Sequence, residues 1–174
     1  MQKATKYTIF KTRWGHFGLI CTEYGLLKAC LPGPECEKIK HKLLNDLDTA
    51  QFDDEIFKTL QEQITAYFDG TYVNFDKDIP IVLDGLSLFT RRVLDACRDI
   101  KFGQTISYGQ LAEKIGRTGA VRAVGGALAK NPLPLIIPCH RVVCADGKIG
   151  GFSAAGGIIL KKRLLKLERQ TPKP

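Results

Sequence analysis

No stretch of the 174 residues approaches the roughly 18 apolar positions that a membrane-spanning helix requires, and the N-terminal MQKATKYTIF lacks the apolar core of a secretory signal. These absences set aside the membrane and secreted classes. A cytoplasmic protein is expected, nucleoid-associated in a prokaryote or nuclear in a eukaryote. The six cysteines, at 21, 30, 36, 97, 139 and 144, include no C-x-x-C pair, and a chain of this length buries a core without disulfides. They read as reduced thiols. Cys21, Cys30, Cys36 and His41 follow no common zinc spacing, so no metal is expected. Acidic residues are scarce in one half of the chain. Residues 85–174 carry 5 Asp and Glu against 16 Lys and Arg, a net of +11, whereas residues 1–84 carry 13 against 10, a net of −3. A basic half beside a mildly acidic one suggests a polyanionic partner, most simply a nucleic-acid backbone, although a solvated Lys-rich surface gives the same balance.

The hydrophobic pattern divides the chain near Asp84. In the first half, YTIFKTRW, FGLICTEY and GLLKACL alternate around a turn-like Glu23-Tyr24-Gly25, which predicts strands of a small antiparallel sheet ended by Pro32-Gly33-Pro34. Helices are expected over 39–48 and 54–69, the second capped by Asp53 and stopped by Gly70, with 76–85 as a linker. The second half reads as mostly helical. Ser87 caps a helix carrying Leu88, Phe89, Val93, Leu94 and Cys97. Ser107 and Gln110 form a capping-box pattern before Leu111, Ala112 and Ile115, and Gly116 ends that helix. Thr118 caps the next, over 119–130, with Val121, Val124 and Leu128 toward the core. Two short helices about a tight turn make a helix-turn-helix. Asp146-Gly147 predicts a hairpin between 142–144 and 148–151, and a final helix covers 157–167 before a frayed tail.

Two features of this half carry chemistry. Ala120, Ala123, Gly125, Gly126, Ala127 and Ala129 leave the 119–130 helix nearly bare, and two adjacent glycines cost about 1 kcal/mol each relative to alanine. Such a face suits either tight helix packing or a narrow groove. The second feature is Ile137-Pro138-Cys139-His140-Arg141-Val142. A free thiol with pKa about 8.5 is mostly protonated at neutral pH, so a nucleophilic cysteine needs cationic neighbours or a base. Arg141 brings a charge, and His140 can relay a proton to a carboxylate. In an extended segment Cys139 and His140 face opposite ways, so they need a bend or a bridging water to communicate. A buried cysteine beside a hydrogen-bonded histidine is the plainer alternative.

The segments TISYGQLAEKIGR, VRAVGGALAKNPLPLIIPCHRVV and DGKIGGFS, with Glu168 near the end of the last helix, resemble the O6-alkylguanine-DNA alkyltransferases. The resemblance covers the C-terminal half in register and the N-terminal half only loosely. It implies a ribonuclease H-like α/β domain at 1–84 and a DNA-binding and alkyl-transfer domain at 85–174. It further implies a single-turnover methyltransferase that flips the damaged base from duplex DNA and keeps its alkyl group on Cys139, without cofactor and as a monomer. His140 then acts through water as proton acceptor, Glu168 orients it, and Asn131 ties the helix-turn-helix to the active-site turn. Arg122 enters the base stack, with Ala123, Gly125, Gly126 and Ala129 against the minor groove. Tyr108 rotates the nucleotide outward and donates to guanine N3. Ser153 donates to guanine O6, the carbonyls of Cys139 and Val142 receive the exocyclic amine, Phe152 walls the base, and Arg141 keeps the pocket electropositive. Each has an ordinary alternative: surface arginine, packed tyrosine, helix-capping asparagine, solvated glutamate or structural ion pair. Phe152 stands where many relatives have tyrosine, and Ala154-Ala155 lengthens the loop. Acceptance of O4-alkylthymine stays open. A cysteine hydrolase using Cys139 and His140, or a non-catalytic helix-turn-helix DNA-binding protein, are the competing classes; the first lacks an oxyanion motif.

Overall fold

The computed structural model describes residues 5–45, 47 and 49–174. The chain divides into two compact units, residues 1–83 and 84–174. Among the described residues no helix is long and apolar enough to cross a membrane.

The first unit is a four-stranded sheet with helices on both faces. Strands β1 (Lys6–Thr12), β2 (Gly15–Thr22) and β3 (Gly25–Gly33) pair antiparallel in a meander. Thr12 locks the first turn, its hydroxyl donating to the Gly15 carbonyl at 2.8 Å and accepting from Trp14 N at 3.2 Å. Successive β2 side chains point to opposite faces, and both faces are covered. Ile20 packs with Leu43 of helix α1 (Cys36–Leu44), while Phe17 meets Phe68 of helix α2 (Lys58–Phe68) at 6.1 Å between ring centroids.

The sheet is mixed, not antiparallel as expected, because β4 (Gln51–Phe52) joins the outer edge of β1 in parallel. That pairing also removes Asp53 from its expected capping role: its backbone N–H bonds Tyr7 O at 2.9 Å and its carboxylate meets Lys6 Nζ at 2.7 Å. The helix consequently starts at Lys58, preceded by Phe57 in a left-handed conformation. The helix expected over 39–48 occupies Cys36–Leu44; positions 46 and 48 lie outside the described residues. Part of the expected linker adds to the sheet, with Leu26 N bonding Pro80 O at 2.9 Å and Val82 N bonding Leu26 O at 2.8 Å.

The second unit is mostly helical. Helix α3 (Leu88–Cys97) is capped by Ser87, whose hydroxyl accepts from Thr90 N, and buries Val93, Leu94 and Cys97. The Ser107/Gln110 capping box is present in both directions and starts helix α4 (Tyr108–Lys114). Helix α5 (Val121–Leu128) follows a turn closed by Ala120 N on Arg117 O at 3.0 Å. Ala120, not Thr118, is its N-cap residue, and no side chain caps it. Val124, Ala127 and Leu128 face the core, whereas Val121, expected inside, is 44% exposed.

The expected hairpin around Asp146-Gly147 reduces to a turn with Cys144 N on Lys148 O at 2.9 Å. Val142–Val143 (β6) instead pairs in parallel with Ile106–Ser107 (β5), which leaves no partner strand at 148–151. Helix α6 (Gly157–Gln170) extends beyond 167, and Thr171 is anchored through its hydroxyl to Leu167 O at 2.9 Å.

The bare face of α5 is not explained by packing within the chain. A Cβ at Gly126 would meet nothing within 4 Å, and one at Gly125 would make only an ordinary contact, 3.9 Å from Tyr108. Gly150 is the opposite case: its φ is +74°, and a Cβ there would lie 2.8 Å from the Tyr108 hydroxyl. Gly126→Ala is therefore expected to stabilise the unit by about 0.5–1 kcal/mol through helix propensity, and Gly150→Ala to destabilise it. Urea unfolding of both variants checks this; a loss of stability in Gly126→Ala would mean that the face is packed after all.

Candidate active site

The segment between α5 and β6 is rich in proline, which withholds backbone donors and leaves its conformation to be fixed by side chains. Asn131 fixes it. Its Oδ1 accepts from Leu133 N at 2.9 Å, while its Nδ2 donates to Ile137 O at 2.9 Å and to Cys139 Sγ at 3.2 Å. Leu135 sits at φ +81°, an uncommon conformation for a branched side chain held inside this loop. Cys139–Arg141 then forms one 3-10 turn, closed by Arg141 N on Pro138 O at 2.9 Å. The turn supplies the bend that the extended reading of this segment lacked.

Behind the thiol lies a fully buried ionic cluster. Glu168 of α6 is 1% exposed and His140 0%. His140 Nε2 lies 2.7 Å from Glu168 Oε1. A carboxylate only accepts, so Nε2 carries the proton and Nδ1 holds the free lone pair. That Nδ1 is buried and has no hydrogen-bond partner among the described residues. Arg141 grips the same carboxylate through Nε at 3.1 and 3.2 Å and Nη2 at 3.0 Å, and its Nη1 donates to Ile100 O at 2.6 Å. Gly103 N completes the shell on Oε2 at 2.9 Å.

In front of Cys139 opens a cleft of about 520 Å³, lined by Tyr108, Val121, Gly125, Leu128, Ala129, Cys144, Gly150, Gly151, Phe152 and Ser153. The structure thus brings Cys139, Tyr108, Gly125, Ala129, Phe152 and Ser153 to one cavity, with Asn131 on the thiol and His140 and Glu168 behind it. Arg122, Ala123 and Gly126 lie exposed on the outer face of α5. Two expected roles meet a different geometry. Arg141 is bound to Glu168 and does not line the cleft, so it is a structural ion pair and not the source of an electropositive pocket. The Val142 carbonyl already accepts from Lys161 Nζ at 2.6 Å, which leaves one lone pair for any ligand. Cys144 is partly exposed and lines the cleft. Among the described residues no group of three or more His, Cys, Asp or Glu is arranged to hold a metal ion.

Electrostatics give the resting state. Burial pushes the Cys139 thiol up, against the Asn131 hydrogen bond and the Lys161 charge, which lower it. Burial pushes His140 down, so the imidazole is neutral at neutral pH. Burial alone would raise the Glu168 carboxyl, but the His140 hydrogen bond together with the charge and hydrogen bonds of Arg141 outweighs it and holds the group well below the usual carboxylate range. With His140 neutral, the Arg141 guanidinium is the charge that keeps Glu168 ionised. The sequence gives no hint of Lys161, which reads as one of several solvated lysines on α6 yet is wholly buried.

A buried thiol with a neutral imidazole and a fixed carboxylate behind it, opening on a cleft beside a bare helix, is an arrangement in which a cysteine nucleophile can be made and held. Residues 88–170 match the family model for the DNA-binding domain of 6-O-methylguanine DNA methyltransferase. A methylated-DNA–protein-cysteine methyltransferase of Mycolicibacterium paratuberculosis is 49% identical over 109 residues, 63% of this chain and 63% of that protein. The corresponding protein of Methanocaldococcus vulcanius is 41% identical over 138 residues, 79% of this chain and 70% of its own length. The crystal structure of Mycobacterium tuberculosis OGT in complex with DNA superposes with a TM-score of 0.79 at 33% identity, covering 95% of this chain and 94% of that one. The chain belongs to the O6-methylguanine-DNA methyltransferase family.

The ionic cluster makes stability pH-dependent. Because the folded Glu168 pKa is depressed, its contribution is fully present above the unfolded value of about 4.3 and is lost as pH falls through the folded value. Glu168→Gln leaves Arg141 buried without its counter-charge, a change expected to cost about 3–5 kcal/mol. Urea midpoints measured from neutral pH downward should fall for the native chain below about pH 5, and much less for Glu168→Gln. Parallel curves would remove Glu168 from this role.

Proposed function

We propose that this protein repairs DNA by direct reversal, extruding O6-alkylguanine from the duplex through the minor groove and taking its alkyl group irreversibly onto Cys139. The observation that carries this reading is the Cys139 thiol in a cleft that also includes the bare helix α5, with a proton acceptor and its carboxylate sealed behind it. The family match leaves the hydrolase and the purely DNA-binding alternatives without support.

The chemistry follows from the atoms at hand. His140 Nδ1 takes the thiol proton through a water, and the imidazolium formed is balanced by Glu168. The thiolate attacks the alkyl carbon in line with the C–O6 bond; that bond breaks, its electron pair stays on O6, and protonation at N3 neutralises the guanine. Tyr108 is the proton donor, since burial raises its phenol and it holds the proton until the ring demands it. Ser153 donates to O6, and Phe152 forms the wall against the ring. The product is a thioether, which water does not cleave, so each molecule acts once.

Chemistry on a base inside a duplex requires that base to leave the stack. The pair α4 and α5 acts as a helix-turn-helix, with Ala123, Gly125, Gly126 and Ala129 against the minor groove and Arg122 reaching into the vacated position. The net +11 of residues 85–174 favours this partner. The site of action is then wherever chromosomal DNA lies, the cytoplasmic nucleoid in a prokaryote.

Mixing the protein with an oligonucleotide duplex containing O6-methylguanine should add one methyl mass per chain, located by peptide mapping at Cys139. Turnover of excess duplex, or a fully reacted sample with Cys139 unmodified, would overturn the reading. Arg122→Ala should slow reaction in duplex DNA by about tenfold or more, a loss of at least 1.4 kcal/mol. It should leave reaction with free O6-benzylguanine nearly unchanged. Equal losses on both substrates would mean that Arg122 supports the fold.

A further inference from the structure

Leu135 has a φ of +81°, a left-handed backbone in which a branched side chain is strained. With Ile136 it forms the turn that bridges Pro134 to Ile137, and mirror-image turns of this kind favour glycine, asparagine or aspartate at the left-handed position. The chain instead places a leucine there and buries it to 1% exposure, with Leu133 at 0%, Ile136 at 2% and Ile137 at 0% around it in sequence. Strain of this kind costs about as much as burying one leucine returns, so stability alone does not account for the residue.

What the turn does for the site is visible at its ends. Asn131 spans them: its Oδ1 accepts from Leu133 N at 2.9 Å, and its Nδ2 donates to Ile137 O at 2.9 Å and to Cys139 Sγ at 3.2 Å. Ile137 N closes the loop on Leu133 O at 2.8 Å, and Cys139 N returns to Ile137 O at 2.8 Å. The Ile137 carbonyl is thus where the loop, the asparagine and the thiol residue meet, and its direction follows from the turn that Leu135 begins. Pro134 and Pro138 flank this turn and offer no N–H to hold it, which leaves the task to buried side chains.

We propose that Leu135 is a positioning residue for the alkyl transfer: its buried side chain pins the left-handed turn that aims the Ile137 carbonyl at Asn131, and so fixes the asparagine amide on the Cys139 sulfur. Leu135 does not line the cleft and acts through Asn131. Glycine would fit the backbone but leave the loop free to sample other turns, because it populates both signs of φ; leucine accepts the strain and removes the alternatives. The Asn131 hydrogen bond favours the thiolate, so a loop that wanders costs reactivity at Cys139. This inference rests on the reading of Cys139 as the alkyl acceptor.

The test uses the full chain and free O6-benzylguanine, with S-benzylation followed by intact mass. Leu135→Gly allows the same backbone and removes the pin; it should slow benzylation about tenfold, the order expected when one hydrogen bond to the reacting group is lost. Leu135→Met refills the site and should hold the rate within about twofold of native. In an Asn131→Ala background Leu135→Gly should cost little more, because the two residues act through one contact. Independent losses that multiply in the double variant, or a native rate in Leu135→Gly, would overturn the proposal and leave Leu135 a core leucine.

Leu135→Val covers the case in which the glycine variant does not fold. It keeps an apolar side chain in the core but is β-branched and resists a left-handed backbone, so it should fold and lose rate as the glycine variant does. A native rate in Leu135→Val would overturn the proposal. If the native chain gained no benzyl mass at Cys139, the repair reading would fail instead; the same variants labelled with iodoacetamide, and mapped at Cys139, would still decide whether Leu135 sets the thiol.

Discussion

The second unit depends on a single buried carboxylate. Glu168 accepts from His140, from two nitrogens of Arg141 and from the backbone of Gly103, and so fastens the last helix to the thiol turn and to the segment after α3. A charge with so many donors cannot be replaced by an amide without stranding a guanidinium. Gly103 shows how tightly this junction is built: its φ is +72°, and a Cβ there would lie 3.3 Å from the Glu168 carbonyl. The same carboxylate fixes which ring nitrogen of His140 faces it and leaves Nδ1 without a hydrogen-bond partner among the described residues.

The arrangement holds the nucleophile in reserve. A thiol flanked by permanent charge would be ionised, and open to oxidants, at all times. Here burial keeps Cys139 protonated and His140 neutral. In the proposed reaction the thiolate forms only through a proton transfer that makes an imidazolium beside Glu168. The glycines on the outer face of α5 lower helix stability and relieve no clash among the described residues, which fits the proposed docking of that face.

Much of this was legible in the residues. The Ser107/Gln110 capping box, the Ser87 cap and the stop at Gly116 follow local rules that tertiary packing leaves intact. The thiol motif singled out Cys139 and His140, which the fold places on one 3-10 turn, whereas Glu168, which meets His140, was drawn from resemblance alone, because an isolated glutamate on a Lys-rich helix looks solvated. Errors came where a long-range partner decided the outcome. Asp53 looked like a cap until Lys6 and the β1 edge claimed it. Arg141 looked like a pocket charge, yet its guanidinium geometry matches a carboxylate too well to remain free. Lys161 was missed because nothing local distinguishes it from Lys162 or Lys166; only the fold decides which lysine of α6 turns inward.

The order of these groups along the chain has a consequence for synthesis on the ribosome. Glu168 follows His140 by 28 residues, so Cys139 and His140 emerge well before the carboxylate that holds the imidazole. A nascent chain that has made the thiol turn but not the end of α6 holds Arg141 without the Glu168 carboxylate that pairs with it in the complete unit. The buried cluster is thus complete only once residue 168 is available.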